Sequence, residues 1–224
     1  KFYNFIGTDN YLKNIDNFEA NLSNNLNMKF DKTYKLLDYN FESKGTINRA
    51  VLKLNKPIKS DFLSNTINEV YFFNSSINSN LNLKENKANI IGKYSFNNKD
   101  FFKFNLNNII QNNKQKLELD MDFEENIKFN LINFVKKKGE IANLIMTLER
   151  DKKSFNIRNL KLTSKKNLIS ISNLNFKNKN LLSFTSAQVR TYNEGKKNND
   201  FIISFKEKIK LKGDIFDSTN LAKI

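Results

Sequence analysis

Glu118, Asp120, Asp122, Glu124 and Glu125 form an acidic run of the kind that can hold a cation. The Gly-containing loop and ligand spacing of a calcium loop are missing from it. Glu118, Asp120 and Asp122 lie two apart, so on a strand they share one face. The ordinary expectation there is solvation and pairing with lysines of a neighbouring strand. Lys206, Lys208, Lys210 and Lys212 make a comparable cationic row. They can meet lipid headgroups, but a solvent-facing row that discourages edge pairing is the simpler reading. With no His and no Cys, the commonest members of acid–base, nucleophilic and zinc constellations are absent. No catalytic residues, metal or cofactor are expected. What is left is the chemistry of apolar surface.

That surface is organised by strict alternation. In the stretch Asp200–Asp217, Phe201, Ile203, Phe205, Ile209, Leu211, Gly213 and Ile215 share one parity, and Ser204 and the four lysines occupy the other. Successive strand side chains point to opposite faces, so this reads as one apolar and one cationic face. The run is long for a single strand, which predicts a bend or hairpin near Glu207. Similar alternation recurs in Phe102, Phe104 and Leu106, in Leu117, Leu119, Met121 and Phe123, in Ile127, Phe129 and Leu131, and in Leu144, Met146 and Leu148. Ile169 and Ile171 lie on the opposite parity to Leu174 and Phe176, a slip that a β-bulge would explain. Turn-like clusters, from Glu85–Lys87 through Asn97–Asp100, Asn112–Lys114 and onward to Glu194–Lys197, separate runs of about ten residues, as in an antiparallel meander.

Before residue 80 the pattern is noisier. Leu12, Ile15, Phe18 and Leu22 suit a helix, whereas Phe18, Ala20 and Leu22 suit a strand. Leu26, Met28 and Phe30 alternate as a strand. Two further strands are expected around Tyr39 and Val51, with Gly45 near their junction, and another near Tyr71. Ser60 is placed to cap a short helix through Leu63.

Composition sets outer bounds. Asn is roughly a fifth of the 224 residues, and Lys far exceeds Arg. These are preferences that AT-rich codons produce. The net charge is +15, which permits weak attraction to nucleic acid or anionic membrane. The arginines Arg49, Arg150, Arg158 and Arg190 are scattered, though, and base and phosphate readers lean on Arg. No specific nucleic-acid partner is expected. There is no disulfide, no signal peptide and no apolar run of about 18 residues. With one Pro and six Gly, no linker marks a boundary. Residues 1–224 are read as one segment cut from a longer, repetitive chain.

The most specific local string is Gly213-Asp214-Ile215-Phe216-Asp217-Ser218 followed by Leu221. Gly suits a bulge at a strand end, and Asp217, Ser218 or Thr219 can cap a following helix. A basic strand running into this string resembles the G-x-x-F-D-A-x-x-L strand-to-helix junction of large AsmA-like proteins of the YhdP type from Gram-negative bacteria. Gly213, Phe216, Asp217 and Leu221 carry the match, and Ser218 replaces the usual Ala. The resemblance implies a periplasmic segment of an inner-membrane-anchored envelope protein. It implies contact with flanking parts of the same chain, and with membranes only through regions outside the segment. It also implies a bridge-like role in carrying phospholipid acyl chains toward the outer membrane.

The expected fold is therefore mainly β, a long antiparallel meander curved into an open groove or flattened tube, with few short helices. Its expected lipid-facing lining is Phe102, Phe104, Leu117, Leu119, Met121, Phe123, Leu144, Met146, Leu182, Phe184, Phe201, Ile203, Phe205, Ile209 and Leu211. The alternatives are a structural or protein-interaction module of the envelope, and a carbohydrate-active or adhesive β-domain, which the absence of Trp disfavours. The destination of the apolar parity separates lipid shielding from the structural reading.

Overall fold

The computed structural model describes residues 15–59, 65–151, 154–177, 180–205 and 208–220. Strands dominate them, and none of them is in an α-helix. The chain divides into two compact units, one of residues 1–58 and 67–115, the other of residues 59–66 and 116–224. The Ser60–Leu63 helix and Leu221 of the junction string lie outside the described residues, as does Lys206.

The first unit is a meander of β1 (Ile15–Phe30), β2 (Leu36–Ile58), β3 (Ile67–Asn82), β4 (Glu85–Ser95) and β5 (Phe102–Gln111). Each pairs antiparallel with the next. From Ile15 onward the strand pattern prevails over the helical one, because Ala20 and Leu22 align with Ile47 and Gly45 of β2. The two strands expected either side of Gly45 are a single strand of 23 residues. Gly45 (φ 156°) makes no turn; a Cβ there would strike the Asn21 carbonyl oxygen of β1, so glycine is what lets the two backbones pass so closely. Glu85–Lys87 is likewise strand rather than turn. The reversal comes just before, where the Asn82 carboxamide oxygen accepts the Lys84 and Glu85 N–H groups at 2.9 Å each.

The second unit contains all but the first two residues of β6 (Lys114–Phe123), and β7 (Ile127–Phe129), β8 (Phe134–Lys136), β9 (Ala142–Arg150), β10 (Phe155–Ser164), β11 (Asn167–Lys177), β12 (Asn180–Ser183), β13 (Ser186–Asn193), β14 (Lys196–Phe205) and β15 (Ile209–Ile215). Its sheet runs β6-β9-β10-β11-β13-β14-β15, with β12 also on β11, while β7 and β8 form a separate hairpin. Of the bend or hairpin expected near Glu207, the strand pairing gives the hairpin, with Phe205 facing Ile209 across β14 and β15. The parity slip in β11 falls at Asn173, held at φ 54°, and the β9–β10 register shifts between Ile157 and Asn159 beside it. The alternation through Ile127, Phe129 and Leu131 does not persist. A 3-10 turn at Asn130–Ile132, ended by Asn133 in the left-handed region, exposes Leu131 and buries Ile132.

Asparagine has a structural use here. Seven of the ten described non-glycine residues with positive φ are Asn: Asn17, Asn74, Asn98, Asn112, Asn113, Asn133 and Asn173. Among ordinary side chains Asn tolerates that region best, so it supplies turns and bulges in a chain with six glycines. β1 pairs only with β2 and β15 only with β14, and no barrel closes among the described residues.

Candidate functional site

Strand register turns local alternation into a surface. In the second unit Leu144, Leu162, Ile169, Val189, Phe201 and Gly213 stand side by side across β9, β10, β11, β13, β14 and β15. Met146, Leu160, Ile171, Ala187, Ile203 and Leu211 form the next row. Beyond it, Leu148, Ile157 and Leu174 continue the same face, and then Phe155 and Phe176. The bulge at Asn173 is what keeps Leu174 and Phe176 on this side. The opposite face carries Ile145, Lys161, Ser170, Gln188, Ile202 and Lys212 in the matching row. It is mixed rather than purely polar.

Cover over the apolar face is uneven. At one end, Ile127, Ile132 and Phe134 of the β7–β8 hairpin join Phe123, Ala142, Leu162, Ile169, Val189 and Phe201 in the buried core, with Met121, Phe129, Leu144, Ile203 and Phe216 packed against it. Toward the other end the side chains are only half-buried. There Phe184 and Phe205 stack with ring centroids 5.7 Å apart, and Phe155 meets Phe176 edge-on at 5.5 Å.

Polar groups fasten the hairpin. Lys136, 1% exposed, donates from Nζ to the carbonyl oxygens of Glu124 and Glu125 at 2.8 and 2.7 Å, and lies 5.1 Å from the centre of the Phe123 ring. Burial lowers its pKa, and the nearby acidic groups of Glu140, Glu124 and Glu125 oppose the shift. On the far side, Asn199 donates to the Ile132 carbonyl at 2.7 Å and to Thr191 Oγ1 at 2.8 Å. Its carboxamide oxygen accepts the Asp217 N–H at 2.9 Å. The Asp217 carboxylate accepts from Asn133 Nδ2 and Asn198 Nδ2 at 2.9 and 3.1 Å, and from both the N–H and the hydroxyl of Thr219.

The junction string thus has a local structural role. Gly213 lies against Phe201, where a Cβ would collide with the Asp200 carbonyl oxygen and with Phe201 itself. The Phe216 ring packs edge-on against Phe201 at 5.2 Å. Asp217 ties β14 to the residue that ends the 3-10 turn.

The first unit carries a related face. Phe102 and Phe104 join Tyr94 and Phe72, with Phe104–Phe72 at 5.4 Å, Phe104–Tyr94 at 6.0 Å and Phe102–Tyr94 at 6.4 Å. Here the apolar face is interrupted by a polar row of Asn24, Ser43 and Ser79.

The expected lining residues therefore fall into three groups. Phe104, Phe123 and Phe201 are buried. Phe102, Leu117, Leu119, Met121, Leu144, Met146, Phe184, Ile203 and Phe205 are half-buried. Leu182, Ile209 and Leu211 are exposed at 56%, 68% and 51%. Phe155, Leu160, Leu162 and Phe176 belong to the same face but do not appear in the expected lining. The parity slip disguised β10 and β11, and the spacing of local alternation was the only signal for them. The parts played by Ile132, Phe134, Lys136 and Asn199 come from contacts between distant segments, which alternation does not encode.

Of the acidic run, Glu118 pairs with Lys116 at 2.6 Å, and Asp120 and Asp122 accept from Asn143 Nδ2 at 2.7 and 3.1 Å. Among the described residues no group of three or more acidic side chains converges as a metal site. Lys208, Lys210 and Lys212 are exposed. No helix among the described residues is long and apolar enough to cross a membrane. No family model, curated protein or solved structure matches the chain.

Proposed function

We propose that the chain is a segment of a bridge-like lipid transfer protein, AsmA-like and of the YhdP type, that shields phospholipid acyl chains on an apolar sheet face as they pass between inner and outer membrane. The carrying observation is the pair of rows that stay apolar from β9 through β10, β11 and β13 to β14, covered at the hairpin end and half-buried beyond it. Each methylene removed from water is worth about 0.8 kcal/mol, so a face of this kind retains an acyl chain without polar contacts. The sheet would guide lipid passively, within the periplasm, while membrane contact would come from regions outside the segment.

Phe205→Asp tests the reading. Phe205 is half-buried, where a carboxylate remains hydrated, so the expected result is near-native thermal stability. Photocrosslinking of lipid to a probe beside position 205 should fall, because the charge opposes an acyl chain. In a packed core the same unpaired carboxylate would cost several kcal/mol. Collapse of the fold, or no lipid crosslink in the unmutated protein, would instead favour a structural or protein-interaction module. That reading has its own supporting feature: all seven residues of the edge strand β15 are exposed.

A further inference from the structure

The first unit holds a cavity of about 130 Å³ with a wholly apolar surface, bounded by Ile15 and Phe18 of β1, Ile47 and Ala50 of β2, Phe72 of β3 and Ile90 of β4. Ala50 and Ser75 are the small residues of its lining. Ala20, Ile47 and Ser75 stand in one cross-strand row, and Gly92 lies so close to Ser75 that a Cβ there would collide with it. The Ser75 hydroxyl is turned toward the Phe73 carbonyl oxygen at 3.3 Å, which leaves carbon facing the space. Bulges at Asn17 and Asn74, both at positive φ, bring Phe18 and Phe72 around the same space. Ile47 and Ala50 are buried whereas Phe18 is 51% exposed, so the cavity opens beside β1.

We propose that this cavity seats the methyl end of a single acyl chain. The proposal rests on the lipid-shielding reading above and gives it a fixed binding position. Water needs two to four polar partners to occupy such a space, and this lining presents none. A headgroup is excluded for the same reason. An apolar cavity of ~150 Å³ stays dry and takes up benzene or xenon, so the volume here suits the last few carbons of a chain. The rest of that chain would leave past Phe18.

The test uses the whole 224-residue chain and two photoreactive sixteen-carbon fatty acids, one with its diazirine at the methyl end and one with it beside the carboxylate. The methyl-end probe should label the peptides containing Ile47, Ala50, Phe72 or Ile90, and the carboxylate-end probe should label them at least about tenfold less. Xenon should shift the methyl resonances of Ile47 and Ile90. Ala50→Leu fills the space, and should abolish both signals while leaving lipid crosslinking beside position 205 and thermal stability intact. Ala50→Val, a smaller addition, should weaken both signals and covers the case in which Leu is not accommodated. Equal labelling by the two probes, absence of a xenon shift, or persistent labelling in folded Ala50→Leu would overturn the seat. If crosslinking beside position 205 survives that outcome, lipid shielding stands without it; no labelling anywhere would remove both.

Discussion

Asp217 accepts four hydrogen bonds, two from Thr219 and one each from Asn133 and Asn198. The Thr219 hydroxyl is the largest influence, followed by the two carboxamides, and together they hold the carboxyl far below the usual carboxylate range. A carboxyl depressed in the folded state stabilises above its unfolded pKa and loses that contribution as pH falls through its folded value. The contribution is therefore complete above about pH 4, the ordinary Asp value, and declines below it. Protection of the Ile127–Lys136 amides against exchange, taken relative to the intrinsic rate at each pH, should fall as pH drops below that point, ahead of protection in the central strands. Asp217→Asn should lower the same protection at neutral pH and flatten its acid dependence. Unchanged exchange in the variant would mean that Asn199 and Lys136 hold the hairpin without help. Lys136 is a different kind of fastening: its two carbonyl partners satisfy a charge that burial alone disfavours.

Among the elements, β10 and β11 show how one residue sets the face of a whole strand end. Asn173 at φ 54° reverses parity between Ile171 and Leu174, and its carboxamide donates to Thr185 Oγ1 at 3.1 Å. A β-branched residue in the left-handed region costs about 1–3 kcal/mol. Asn173→Val should therefore lower stability by about that amount in denaturant melts, and Asn173→Gly should be close to neutral. If Val is as well tolerated as Gly, the bulge is not what fixes the register. The β7–β8 hairpin illustrates the complementary case. With three residues in each strand it is too short to stand alone, and it persists through the apolar contacts of Ile132 and Phe134 and the polar fastenings at its two ends.

At the scale of the molecule, a net charge of +15 arises mainly from lysines, with only four arginines among 38 cationic residues. Lys208, Lys210 and Lys212 lie on an exposed edge, and Lys116, Lys165 and Lys197 are engaged in ion pairs. Dispersed lysines attract phosphate without reading bases. Binding to DNA of any sequence should be weak and should fall steeply as salt rises. A complex that discriminates between sequences and survives high salt would contradict this account of the charge.

The sequence by itself determined the period-two pattern, and with it most of the strands, a bend or hairpin near Glu207, the parity slip between Ile171 and Leu174 and the shared face of Phe201, Ile203 and Phe205. These follow from local geometry, since neighbouring side chains on a strand must diverge whatever they pack against. Gly45 misled for an equally physical reason. Glycine permits a turn and a close backbone approach alike, and only the presence of Asn21 beside it selects the second. Tertiary structure alone decided that Leu144 and Phe201 belong to one row, that Lys136 is buried, and that Ile15, Ala50, Phe72 and Ile90 line one cavity. Those outcomes depend on which distant strands pair and in what register. Phe201 and Ile209 share the same alternation, yet one is 2% exposed and the other 68%. Alternation assigns a side chain to a face; the hairpin and the remaining strands decide whether anything covers it.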